Sequence, residues 1–153
     1  MDADGLNPSN LHLPRRVWEL HGRVTLVKTI QCADVVDFAR LTGDNPPMDD
    51  EAVYSQSQPA GRARVPPMLL GGLIGAAIQR YFGGAGSVCL HQYLEFIAPA
   101  YTGDTVTAAL EVDHVEAERS IVRLKTACTN QNGQALVTGQ AAILIHKEVN
   151  CDS

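Results

Sequence analysis

A chain of 153 residues, 45% apolar and 19% charged, suits one soluble domain with room for a real core. Its formal net charge of −5, without any run of lysine or arginine, argues against nucleic acid or an anionic membrane as partner. Four cysteines without a C-x-x-C pair give no zinc spacing. They read as reduced, buried thiols of a cytoplasmic protein, and no metal or other cofactor is expected.

Residues 1–16 are polar and carry Pro8 and Pro14, the composition of a loose N-terminal arm, with Trp18 placed to anchor its end on the body. Asp2 and Asp4, with no apolar stretch behind them, give no secretory signal. Arg23–Ile30 puts Val24, Leu26 and Ile30 on one face, which predicts a strand. Asp34 begins or caps a helix with Val35, Phe38, Ala39 and Leu41 on its apolar side and Gly43 as its stop. A polar bend at Pro46-Pro47 follows, then a turn of helix through Glu51, Ala52, Val53 and Tyr54. Residues 55–65 lack periodicity and read as a flap. Pro66-Pro67 opens a helix running to Phe82, because the missing proline N–H would have no intrahelical partner there. The segment is apolar nearly all round and too short to span a membrane, so burial on most sides is expected. Gly71, Gly72 and Gly75 each cost about 1 kcal/mol of helix propensity relative to alanine. A sheet or a ligand pressed against the backbone would explain them.

Gly83-Gly84 stops this helix, and Gly83 to Gly86 lead into a strand, so they form no phosphate loop. Val88–Ala98 is expected to turn Val88, Leu90, Gln92, Leu94 and Phe96 inward and Cys89, His91, Tyr93 and Glu95 outward. Thr105–Val112 sends Val106, Ala108, Leu110 and Val112 to one side, and Ser120–Thr129 pairs with Gln134–His146 across a turn containing Asn132-Gly133. Residues 149–153 are a tail. One glycine-rich helix followed by long antiparallel strands predicts an α+β domain over 17–148, its sheet wrapped round that helix.

The chemistry concentrates in residues 38–54, where Asp44 and Asp49 flank the Pro-Pro bend. Two carboxylates so placed either form an acid–base pair, or Asp44 caps a turn and Asp49-Asp50-Glu51 supply the acidic first turn of a helix. The stretch Thr42-Gly43-Asp44-Asn45-Pro46-Pro47-Met48-Asp49 resembles the [ST]-G-D-x-N-P-x-H pattern of the MaoC-like (R)-specific enoyl-CoA hydratases. Leu90-His-Gln-Tyr-Leu-Glu-Phe96 and Pro99-Ala-Tyr-Thr-Gly-Asp104 are similar to two further elements of that family. The resemblance implies a single hotdog domain, a homodimer, and a hydratase or dehydratase acting on an enoyl or 3-hydroxyacyl thioester carried by CoA or a carrier protein.

It also implies roles. Asp44 falls on the family's catalytic Asp, Asp49 on its catalytic His, and Pro46 on an Asn. The family's His-Gly-Met helix start is here Pro66-Pro67-Met68, so the thioester-oxygen donor of its Gly is lost, because Pro67 has no N–H. Met68 N–H or a neighbour would substitute at the helix start. Two carboxylates held close share one proton, so Asp44 and Asp49 divide the acid and base roles and titrate as a unit. Gly71 is a further candidate substrate contact, and Gln92 is either a polar core residue or a group that faces substrate. Tyr54 either packs beneath the loop or faces substrate. Arg62 and Arg64 are either solvated charges or ligands for the phosphates of a pantetheine arm. The altered site leaves other functions open: a divergent tailoring step of secondary metabolism (intramolecular oxa-Michael cyclisation or isomerisation), a hotdog thioesterase, or a non-catalytic acyl-binding protein.

Overall fold

Side-chain alternation and two proline-and-glycine breaks set the elements of this chain. The computed structural model describes residues 23–44, 62–82 and 87–145. The N-terminal arm, Trp18, Asp49, the turn through Tyr54, most of the flap, Cys151 and the tail lie outside the described residues. Strand β1 spans Arg23–Thr29, helix α1 Cys32–Thr42, helix α2 Pro67–Phe82, and strands β2 to β5 span Val88–Phe96, Thr105–Glu116, Ile121–Thr129 and Ala135–Leu144. Every strand pair is antiparallel and the sheet order is β1-β3-β4-β5-β2. Helix α2 packs on one face of this sheet, the hotdog arrangement.

The expected helix around Asp34 starts earlier, at Cys32. Asp34 sits in its first turn and accepts the Gln31 backbone N–H at 2.7 Å. That bond, with Lys28 at 3.3 Å, holds the Asp34 carboxyl below its ordinary range. Gly43, at φ 70°, closes α1 in the left-handed conformation that glycine adopts without strain. Only Val35 and Ala39 of α1 are buried; Leu41, expected on the apolar side, is exposed at the helix end.

On α2, Leu69, Leu70, Leu73, Ile74, Ala77, Ile78 and Phe82 are buried against the sheet. Burial is therefore one broad face rather than most sides, since Met68, Gly72 and Ala76 form an exposed stripe one turn apart. Of the three helix glycines only Gly71 faces a packed neighbour: a Cβ there would lie 2.8 Å from Leu94 Cδ1, whereas nothing approaches within 4 Å at Gly72 or Gly75. The sheet side of the core is closed by Leu110, Val122, Leu124, Leu136 and Ile143, all essentially inaccessible. Each such side chain removed from water is worth about 1.5–3 kcal/mol.

The β4–β5 hairpin turns as expected, with Gly133 at φ 74° and its N–H bonded to Asn130 O at 3.0 Å. Strand β2 departs from expectation. Val88, Leu90 and Phe96 were to point inward, yet they are 46%, 48% and 45% exposed. The strand is a sheet edge, paired only with β5 among the described residues, and its register shifts between Cys89 and His91. The cysteines also differ. Cys128 is buried, but Cys32 opens α1 and Cys89 lies on the edge strand, and both are exposed.

Candidate active site

Three segments carry the candidate residues: the end of α1, the start of α2, and the face of β2 that meets α2 at Gly71. Asp44 follows the Gly43 cap, is exposed, and has its N–H 3.4 Å from Thr42 Oγ1. Thr42 Oγ1 itself donates back to Phe38 O at 3.0 Å. The loop bearing Asp44 is thus rooted on a capped helix end. Its proposed partner Asp49, and Tyr54, lie outside the described residues.

At the start of α2 the donors can be counted. Pro67 carries no N–H. The Leu69 N–H is taken by Pro66 O at 3.0 Å. Met68 N–H has no acceptor among the described residues, which makes it the first open backbone donor of the helix. The Met68 side chain is exposed and curls over Gly71, its Cε 3.5 Å from where a Gly71 Cβ would stand.

Gly71 meets Leu94, and Gln92, two residues back along β2, shares that helix-facing side. Gln92 is half-buried and its Nε2 has no hydrogen-bond partner among the described residues. Thr126 Oγ1, deeper in the sheet, is likewise buried and unpaired there. A buried polar atom without a partner is costly, about 1–3 kcal/mol, so both atoms stand out among the described residues. Thr126 was not anticipated from the sequence, although its inward parity on a buried strand was the available signal.

Arg64 and Pro67 line a cavity of about 110 Å³ with Leu70, Phe96, Ile97 and Pro99. Arg64 is exposed at this cavity. Arg62 is engaged elsewhere: its Nη1 lies 3.1 Å from Asp104 Oδ1 and its guanidinium 5.7 Å from the Tyr101 ring centroid. Cys128 is no nucleophile, because burial pushes its thiol up to about 12 and Sγ donates weakly to Leu70 O at 3.7 Å. His91 points away from α2, its Nε2 3.5 Å from Arg123 Nη1. No group of metal-binding side chains occurs among the described residues, and no described helix is long and apolar enough to cross a membrane.

Residues 22–139 match the FAS1-like dehydratase domain region. The chain is 32% identical to an (R)-specific enoyl-CoA hydratase of Aeromonas caviae over 82% of its own length and 93% of the relative's. It is 34% identical to a 3-hydroxybutyryl-CoA dehydratase of Methylorubrum extorquens, covering 83% of this chain and 80% of that one. Among solved structures, the R-hydratase PhaJ1 of Pseudomonas aeruginosa superposes with a TM-score of 0.75 at 31% identity, over 84% of this chain and 82% of the other. Sheet order, the capped Asp44 loop and the proline-opened α2 thus sit on a shared sequence frame, and the chain belongs to the MaoC-like hydratase/dehydratase family, within its FAS1-like dehydratase region.

Proposed function

We propose that this protein adds water to an enoyl thioester, or removes it from the 3-hydroxyacyl product, with Asp44 and Asp49 as a proton-sharing acid–base pair. The observation that carries the reading is the open Met68 N–H at the start of α2, in a chain similar to (R)-specific enoyl-CoA hydratases and a 3-hydroxybutyryl-CoA dehydratase. In hydration the basic carboxylate takes a proton from water as its oxygen bonds to the β-carbon. The protonated carboxyl delivers a proton to the α-carbon, and the charge that builds on the thioester oxygen is met by Met68 N–H. Dehydration runs the same steps backwards.

The Gln92 amide, whose Nε2 has no partner among the described residues, is the second donor assigned to the acyl part in this reading. Arg64, exposed at the cavity beside Pro67, supports contact with the phosphates of CoA or of a carrier-protein pantetheine arm. Pro67 and Asp49 together favour one second reading, in which the same pair directs an internal hydroxyl rather than water onto the enoyl carbon.

Loss of the enoyl absorbance of crotonyl-CoA on addition of the protein is the expected result. Release of free thiol without that loss would make the protein a thioesterase. Tight acyl-CoA binding with neither signal would make it a binding module.

The edge of β2, unpaired among the described residues, supports the homodimer. Tyr93 and Ile97 are 60% and 53% exposed beside Val88, Leu90 and Phe96, an apolar strip along open backbone groups that another strand can pair. A second copy laid against this edge would extend the sheet. Sedimentation should give about twice the 16.5 kDa chain mass, and Leu90→Lys with Tyr93→Lys should return it to monomer. A monomer in the unsubstituted protein would refute the dimer.

A further inference from the structure

Asp104 is a buried carboxylate, 4% exposed, that the chemistry above does not use. Its Oδ1 accepts from Arg62 Nη1 and from Gln131 Nε2, each at 3.1 Å, and its Oδ2 accepts from Tyr101 N–H at 2.9 Å. Its carbonyl accepts from Ile30 N–H at 2.9 Å, and Gly103 N–H donates to Ile30 O at 2.7 Å. Ile30 stands two residues before α1, the helix that ends at Asp44. On the other side, Thr102 and Ala63 bond twice, Thr102 N–H to Ala63 O at 2.8 Å and Ala63 N–H to Thr102 Oγ1 at 3.0 Å. Val65 N–H donates to Ala100 O at 2.8 Å. Residues 62–65 lead straight into Pro66, Pro67 and the Met68 donor. One carboxylate therefore stands where the roots of both halves of the site meet.

We infer that Asp104 is the positioning residue of the site: its carboxylate, through Arg62, Tyr101 and Gln131, fastens the strap at 62–65, and with it the Met68 donor, to the junction from which the Asp44 helix begins. Its effect on rate rests on the hydro-lyase reading; the clamp itself does not. Three donors converge on two acceptor oxygens, an arrangement that asparagine cannot reproduce. In either amide orientation its NH₂ faces a donor, Tyr101 N–H or the Arg62 and Gln131 groups. Charge-assisted bonds of this kind are the stronger class, and a small displacement of a reacting group is enough to slow catalysis severely.

Arg62→Met is the decisive variant, because Arg62 is half-exposed and is not part of the apolar core. It is compared with the parent on an enoyl-CoA and on an enoyl N-acetylcysteamine thioester, which lacks the phosphates. A fall in kcat of about 10- to 100-fold on both substrates is expected, with KM little changed, partial recovery in Arg62→Lys, and faster amide exchange at Ala63, Val65 and Thr102. Asp104→Asn should follow the same pattern more severely. A loss confined to KM for the CoA ester would make Arg62 a phosphate ligand and overturn the clamp, as would unchanged exchange at those three amides. If the parent turns over no enoyl thioester, the hydro-lyase reading falls, and the exchange rates alone decide whether the strap is held.

Discussion

Asp44→Asn is expected to lower enoyl-thioester hydration by about 10²–10⁴-fold, the usual contribution of a positioned acid or base. The melting temperature should barely move. Asp44 is exposed and its side chain holds no bond among the described residues, and such surface substitutions stay within about 0.5 kcal/mol. That separation is what makes the variant informative, since a dead but fully folded protein has lost chemistry alone. Asp49→Asn should cost activity on the same scale. Full activity in that variant would remove Asp49 from the pair. Full activity in Asp44→Asn would remove the acid–base assignment altogether.

Gly139→Val should be the most damaging single change to the fold. Gly139 lies on β5 between two strands, opposite Leu94 on β2 and Thr126 on β4. A Cβ there would stand 2.0 Å from the Tyr93 carbonyl oxygen and 3.1 Å from Thr126 Oγ1. The first contact is with backbone, so no rotamer change relieves it, and strand β2 must move. A loss of about 3 kcal/mol, the upper end of the ordinary overpacking range, is expected in denaturant unfolding. The displaced strand carries Gln92 and the apolar edge, so substrate turnover and self-association should fall together with stability. Gly71→Ala is the useful contrast: its Cβ meets side-chain atoms alone, Met68 at ordinary contact distance and the end of Leu94 at 2.8 Å, and Leu94 can rotate. Equal damage from the two would mean that β2 is not held by the approach of Tyr93.

Much of this architecture was legible from periodicity and punctuation. Pro67 starting α2, Gly43 ending α1 and Gly133 turning the last hairpin were each readable because the backbone leaves few alternatives at those residues. Strand β2 was misread for a physical reason: alternation reports which side chains share a face, but not whether a neighbouring strand covers them. Val88, Leu90 and Phe96 have core character and sit at an edge. Cys89 follows the same logic. The glycines of α2 look alike in sequence, yet only Gly71 faces a packed neighbour, because that depends on where Leu94 arrives from a distant strand. Asp104 was visible as the last residue of Pro99–Asp104, an element similar to one of the family's. Its buried convergence with Arg62 and Gln131 was not, since those residues are brought together only by the tertiary fold.

The opening turn of α2 carries a selectivity of its own. An ordinary helix start offers several free main-chain hydrogens and holds oxyanions with more than one oxygen, such as phosphate or a carboxylic acid anion, at two or three points. Here one ring nitrogen has none to give, and the Leu69 hydrogen is spent on Pro66. A lone hydrogen suits a single polarised oxygen and grips a two-oxygen anion poorly, so under the proposed reaction this entrance should bind the activated ester in preference to the free acid left by its hydrolysis.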